Sequence, residues 1–341
     1  MGTTPLLKAF FLMVISSFLG SCDESLETIP SKSQDNEVYT PQPDGTDSRK
    51  KSLVLVGSTQ GVFRASSLGE SFKASDKGLS GNSLIVQGFL EHNNVIYAAT
   101  KNGVYVSKND GKSWSASNGG MSGAGLNVVC LFAKGDVIYA GTFRGGLYTS
   151  TNGKDWTSFN NGLTGAGLIV RAFIDHDNTI YIGTHNGVYK LSDAGTTWQS
   201  VSSGLNNVND LTVVGLASTE HSIYAATFGG LLKELKDNTS SWITLTNGLD
   251  DGFVNAVAVV GDKLYVGGNT YGVYVYDGNT FVPFDTGLPS EDLRIRAFAV
   301  KGNQVLMGTI NEGTYYTTDG ITWVANSGEA DNADNWGLLL R

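Results

Sequence analysis

From Leu53 onward, apolar and polar residues alternate in short runs separated by Gly, Asn, Asp and Ser. Val95-Ile96-Tyr97-Ala98 and Gly103-Val104-Tyr105-Val106 read as two strands joined by a tight turn, since period-two patterning bounded by turn residues marks a half-buried strand. The phrase recurs, with a small residue at its centre at Gly57, Ala99, Gly141, Gly183, Ala226, Gly267 and Gly308. The spacings are 42, 42, 42, 43, 41 and 41 residues. An aromatic column follows each copy: Phe72, Trp114, Trp156, Trp198, Trp242, Phe281 and Trp323. A glycine column comes next, at Gly78, Gly120, Gly162, Gly204, Gly248, Gly287 and Gly328.

A further strand precedes each phrase, as in Leu168 to Ile174. It carries a small residue at Gly88, Cys130, Ala172, Gly215, Ala256 and Ala297, with a β-branched residue two positions earlier. That pattern suits an innermost strand, where sheets converge and bulk is limited. Counting the segment at the aromatic, each unit supplies four strands in about 42 residues, the size of one propeller blade. The expectation is an all-β chain: a single seven-bladed β-propeller with four-stranded blades. The first repeat lacks its innermost strand, and the apolar segment Trp336 to Arg341 is expected to supply it, closing the ring and removing free sheet edges.

The first fifty residues break the pattern. Lys8, the apolar run Ala9 to Ile15 and the small residues before Cys22 read as a secretory signal peptide, too short to span a bilayer. Leu19-Gly20-Ser21-Cys22 resembles the bacterial lipobox, which implies lipidation of Cys22 and anchoring without a membrane span. Residues 1–21 are thus expected to be the leader, 22–51 a flexible tether rich in Ser, Asp, Glu and Pro, and 52–341 the propeller. The acidic pair Asp23-Glu24 resembles surface-export signals of Bacteroidota lipoproteins, pointing to the outer membrane, on the surface or the periplasmic face, whereas by the enteric pattern an Asp after the Cys favours the inner membrane.

The net charge of −9 shows no basic footprint for nucleic acid. Of two cysteines, Cys22 takes lipid and Cys130 falls in the small column, so it reads as a buried packing residue. No nucleophilic triad or phosphate loop appears. The four histidines are read as lying in different repeats without metal-ligand spacing, so neither metal nor cofactor is expected, and the chain is expected to be a monomer.

Ser107 to Trp114 and Leu191 to Trp198, and more loosely Thr149 to Trp156 and Tyr316 to Trp323, resemble the Asp-box of bacterial neuraminidase repeats. Asp193 is read as the one copy of the signature acid. Sialidases, xyloglucanases, sortilin-type receptors and the photosystem II assembly-factor family share this repeat, and the seven-fold count is most similar to the last. The resemblance implies architecture rather than chemistry. Sialidases use six blades and an Arg-Ile-Pro segment that this chain lacks, and xyloglucanase chemistry needs a cleft between two propellers.

No catalytic residue is therefore assigned, and the leading expectation is a platform for a protein or glycan partner, with a sialidase-like or other glycoside hydrolase as the alternative. The loops joining second to third strands should share one rim with the loops joining blades. On it the candidate binding residues are Lys101, Phe143, Arg144, His185, Phe228, Tyr271 and Glu312, at positions that vary while their flanks repeat. Arg171, Arg294 and Arg296 are expected to lie on innermost strands and form a candidate channel anion site, unless they pair with Asp175, Glu291 or Asp292.

Overall fold

A computed structural model describes residues 51–230, 232–245, 248–249, 254–268, 272–289, 293–331 and 333–341. The leader, most of the tether with Cys22, and Tyr271, Glu291 and Asp292 lie outside the described residues.

The expected β-propeller is observed: the described strands form seven four-stranded antiparallel sheets. Blade 4 is representative, with strands Val170–His176, Thr179–Thr184, Gly187–Leu191 and Trp198–Ser200 from the axis outward. Numbering follows the chain, so the innermost strands of blades 2 and 3 are Val86–His92 and Val128–Lys134. Those of blades 5, 6 and 7 are Val213–Ser218, Val254–Val260 and Ile295–Lys301. Blade 1 takes its innermost strand from the other end of the chain. Asn335–Leu340 pairs antiparallel with Val54–Ser58, placing Leu339 opposite Leu55. Leu53 and Arg341 exchange backbone hydrogen bonds of 3.0 and 2.9 Å beyond the pair, so the ring is closed as its sequence implied.

The core lies between the sheets. Seven apolar clusters occupy the seven blade interfaces, such as Phe132, Tyr139 and Leu147 of blade 3 against Phe173, Ile182 and Trp198 of blade 4. The aromatic column pins each blade to the one before. Trp198 is 2% exposed and its indole N–H donates to the Phe159 carbonyl at 3.1 Å. Trp114, Trp156, Trp242 and Trp323 make equivalent bonds to Ser75, Ser117, Val201 and Phe284 at 2.7–2.9 Å. A buried indole needs a partner for its one donor, and the preceding blade provides it.

The hairpins before these aromatics are held by short polar side chains, with one correction to the expected acid. Asp193 is exposed, and in its hairpin the backbone N–H groups of Thr196 and Thr197 donate to the Ser192 hydroxyl. Asp319 accepts from the Ile321 and Thr322 backbones at 2.8 and 3.0 Å, and Asp277 from Asn279 and Thr280 at 2.8 Å. These bonds hold both carboxyls below the usual carboxylate range. Asn152 does the same with a neutral amide.

Candidate functional site

The loops between blades and the turns between second and third strands meet at one end of the molecule, forming a mouth. Backbone bonds tie them together: Lys101 to Ile85, Phe143 to Asn127, His185 to Ile169 and Phe228 to Thr212, at 2.8–3.1 Å. In blades 2, 3 and 4 the loop holds a single 3-10 turn (Gly81–Leu84, Gly123–Leu126, Gly165–Leu168); in blade 5 it is a short α-turn, Val208–Leu211, capped by Asn207.

Three candidate binding residues converge here. The Phe143 and His185 rings meet edge-on at 6.2 Å, and the Arg144 guanidinium lies 5.0 Å over the Phe143 ring. Such a stack restrains the arginine while leaving its fork accessible. Arg144 is exposed and the two rings are half-buried. Burial, with Arg171 and Arg144 nearby, pulls the His185 imidazole down to about 4, so it is neutral at physiological pH. Phe228 stands apart from this stack and 58% exposed, near Val208 at 72% on the adjoining α-turn. Lys101 is half-buried and Glu312 exposed on other blades of the same rim.

Below the mouth, every innermost strand carries a bulge. In blade 4 the pairing register shifts between Val170 and Ala172, so Arg171 is the extra residue. The bulged residue is Gln87 in blade 2, Val129 in blade 3, Val214 in blade 5, Asn255 in blade 6 and Arg296 in blade 7. The shift at Gly57/Ser58 makes it Trp336 in blade 1. A bulged residue leaves the ladder and is re-aimed. These seven ring the axis, and two are arginines.

Arg171 and Arg296 are 1% and 3% exposed. Burial pulls both guanidinium pKa values down to about 10, and for Arg171 the charge of Arg296 adds to the effect, so both remain cations at neutral pH. Of the expected acidic partners, Asp175 pairs instead with Lys134 at 2.8 Å. The carboxylate that offsets Arg296 is Asp334, beside the closing strand. Arg294, expected on the innermost strand, instead lies exposed just before it, because that strand begins at Ile295, yet it is near enough to depress Arg296 further. The axis thus carries two desolvated cations below a rim of one stacked arginine and a neutral imidazole.

Val208 and the bulge column went unread in the sequence. The bulge sits between the β-branched and small columns that were read, and only a departure from strict alternation would have marked it. Cys130 is fully buried, as its column implied, and burial pushes its thiol far up, which makes it inert. The histidines are not one to a repeat: His176 and His185 share blade 4.

Ring and mouth define a seven-bladed β-propeller with two buried arginines at bulges of its innermost strands. No family model matches the chain, and no curated protein matches it. Solved structures do. The extracellular domain of a hybrid two-component system from B. thetaiotaomicron aligns with a TM-score of 0.63 at 19% identity, covering 86% of this chain and 39% of that one. A xyloglucanase of family GH74 from Xanthomonas campestris aligns at 0.64 and 15%, covering 83% and 53%. YCF48 bound to D1 peptide aligns at 0.55 and 14%, covering 73% and 86%. The chain thus spans well under half of the sensor domain and about half of the xyloglucanase. At these identities the likeness is one of fold.

Proposed function

We propose that this chain is an exported, lipid-anchored binding platform whose mouth takes an anionic group of a protein or glycan partner. The observation that carries the reading is the grouping of Phe143, Arg144 and His185 at the rim above the buried Arg171 and Arg296. A carboxylate entering the channel would exchange hydration for fixed cations in low dielectric, where the attraction is strongest. The aromatic rim supplies the apolar contact that anchors a peptide segment or stacks on a sugar ring. Supporting the export reading are the Cys22 motif and its leader, the Asp-box-like hairpins, and a fold shared with an extracellular sensor domain. The YCF48 propeller, recorded with a peptide bound, supports recognition without chemistry.

Two measurements test this. An alkyne fatty acid fed to expressing cells should label the protein, and Cys22→Ser should abolish the label. Acidic and neutral glycans and peptides arrayed against the purified protein should give binding confined to the acidic members. That binding should fall at least about tenfold in Phe143→Ala/Arg144→Ala. Binding indifferent to charge and to this variant would defeat the proposal. Turnover of a glycoside by the wild type, lost in Arg171→Met, would replace it with the hydrolase alternative.

A further inference from the structure

At the opposite end of the molecule, three hairpin turns of blades 4 and 5 bring together four metal-ligating side chains far apart in sequence. His176 ends the innermost strand of blade 4, and Asp177 begins the turn after it. His221 lies in the first hairpin turn of blade 5, and Asp237 follows that blade's third strand, Leu232–Lys236. A backbone bond of 3.0 Å from Asp237 N–H to the His221 carbonyl fixes the last two. His176 Nε2 is 2.9 Å from Asp237 Oδ1, and His221 Nδ1 is 3.6 Å from Asp237 Oδ2. One ligand atom each from His176, Asp177 and Asp237 lie within 4.8 Å of one another.

These spacings suit an ion. Ligand bonds of about 2.0–2.2 Å in a tetrahedron put the ligand atoms roughly 3.4 Å apart, so a metal could enter with small side-chain movements. Two carboxylates, Asp177 and Asp237, thus converge on the buried imidazole of His176. His176 is 7% exposed and its ring packs edge-on to Tyr181 at 6.3 Å, which restrains the imidazole. On the other side His221 and Asp237 border a cavity of about 530 Å³ together with Tyr224, Glu234, Lys236 and Tyr276.

We propose that His176, Asp177 and Asp237 bind a divalent transition metal of the Zn²⁺ type, with the fourth position taken by His221 or by solvent on the cavity side. Imidazole among carboxylates selects such ions over Mg²⁺ and Ca²⁺, which prefer all-oxygen shells. The site is independent of the mouth and of whatever binds there.

The full chain, purified without a polyhistidine tag and stripped with chelator, is titrated with Zn²⁺ by calorimetry and with Co²⁺ by visible absorption. One equivalent should bind, the Co²⁺ form should show d–d bands of a four- or five-coordinate ion, and Ca²⁺ should not compete. Asp177→Asn, at an exposed position, should weaken binding at least about tenfold while leaving the metal-free melting temperature unchanged. Asp237→Asn should abolish it. A Zn²⁺ dissociation constant above about 1 mM, or binding unaltered in both variants, would overturn the site.

Discussion

Gly162, after the aromatic of blade 3, lies against the backbone of Trp198, the aromatic of blade 4. A Cβ at Gly162 would stand 2.1 Å from the Trp198 carbonyl oxygen. The Trp198 backbone N–H in turn donates to the Asn161 carbonyl at 2.9 Å. The same approach recurs at Gly78 with Trp114, Gly120 with Trp156, Gly204 with Trp242 and Gly287 with Trp323, at 2.0–2.3 Å. The glycine column is therefore an inter-blade contact as much as a turn.

That contact distinguishes two glycines of similar backbone. Gly162 has φ of +94° and no room for a side chain, whereas Gly165, at +55°, has nothing within 4 Å of its virtual Cβ. Gly165→Ala should cost about 1 kcal/mol, the left-handed penalty alone. Gly162→Ala must also push neighbouring blades away from each other, and should cost at least about 3 kcal/mol. Urea unfolding of the two variants checks the difference; equal midpoints would show that the contact yields without cost.

Ring closure gives the second prediction. The strand Asn335–Leu340 is buried along its length, supplies the innermost strand of blade 1, and packs Leu338 and Leu340 against blade 7. Arg341 adds a 2.8 Å ion pair to Asp110 of blade 2. Deleting residues 335–341 would leave Val54–Ser58 as a free edge facing the axis, and should abolish cooperative thermal unfolding. A truncated protein that melts as sharply as the full chain would refute the role given to this strand.

Blade 5 holds a buried ion pair, Lys233 Nζ to Asp210 Oδ2 at 3.0 Å, with side chains 5% and 6% exposed. Desolvation makes such a pair a poor source of net stability, but removing one partner leaves a buried charge. Asp210→Ala alone should therefore destabilise by about 3–5 kcal/mol, while Asp210→Leu with Lys233→Met should cost much less. A double-mutant cycle in denaturant measures this. It bears on the mouth because Asp210 lies in the α-turn that displays Val208.

The seven-fold repeat made the blades legible, since each copy had to satisfy the same packing and left the same columns of small, aromatic and glycine residues. The closing strand was legible because blade 1 lacked a member that the C-terminus could supply. The bulges were not. Val170 fits the β-branched column and Ala172 the small column on either side of Arg171, and nothing in a period-two reading shows that this residue leaves the ladder. Nor could spacing reveal that His176 and His221 share Asp237, because that depends on which far-end turns of adjacent blades face each other. In the sequence Phe143 and His185 are each legible only as separate variable turn residues. Their contact follows only once blades 3 and 4 are neighbours in the ring.

His185 gives a pH prediction whose sign follows from its surroundings. Burial and two arginines hold its folded-state pKa at about 4, against about 6.5 in the unfolded chain. Between these values the unfolded chain takes up a proton that the folded chain refuses, so stability must fall as pH drops from about 6.5 toward 4. With the ring half-buried and partly screened, the loss assigned to His185 should be about 1–2 kcal/mol. Subtracting the melting curve of His185→Gln from that of the wild type isolates it, and parallel pH profiles would show that the imidazole is not held neutral. An anion bound at the mouth should offset the arginine charges and raise the same pKa. An NMR titration of the imidazole with and without an acidic ligand reads that change directly, and an unmoved pKa on binding would place the ligand elsewhere on the propeller.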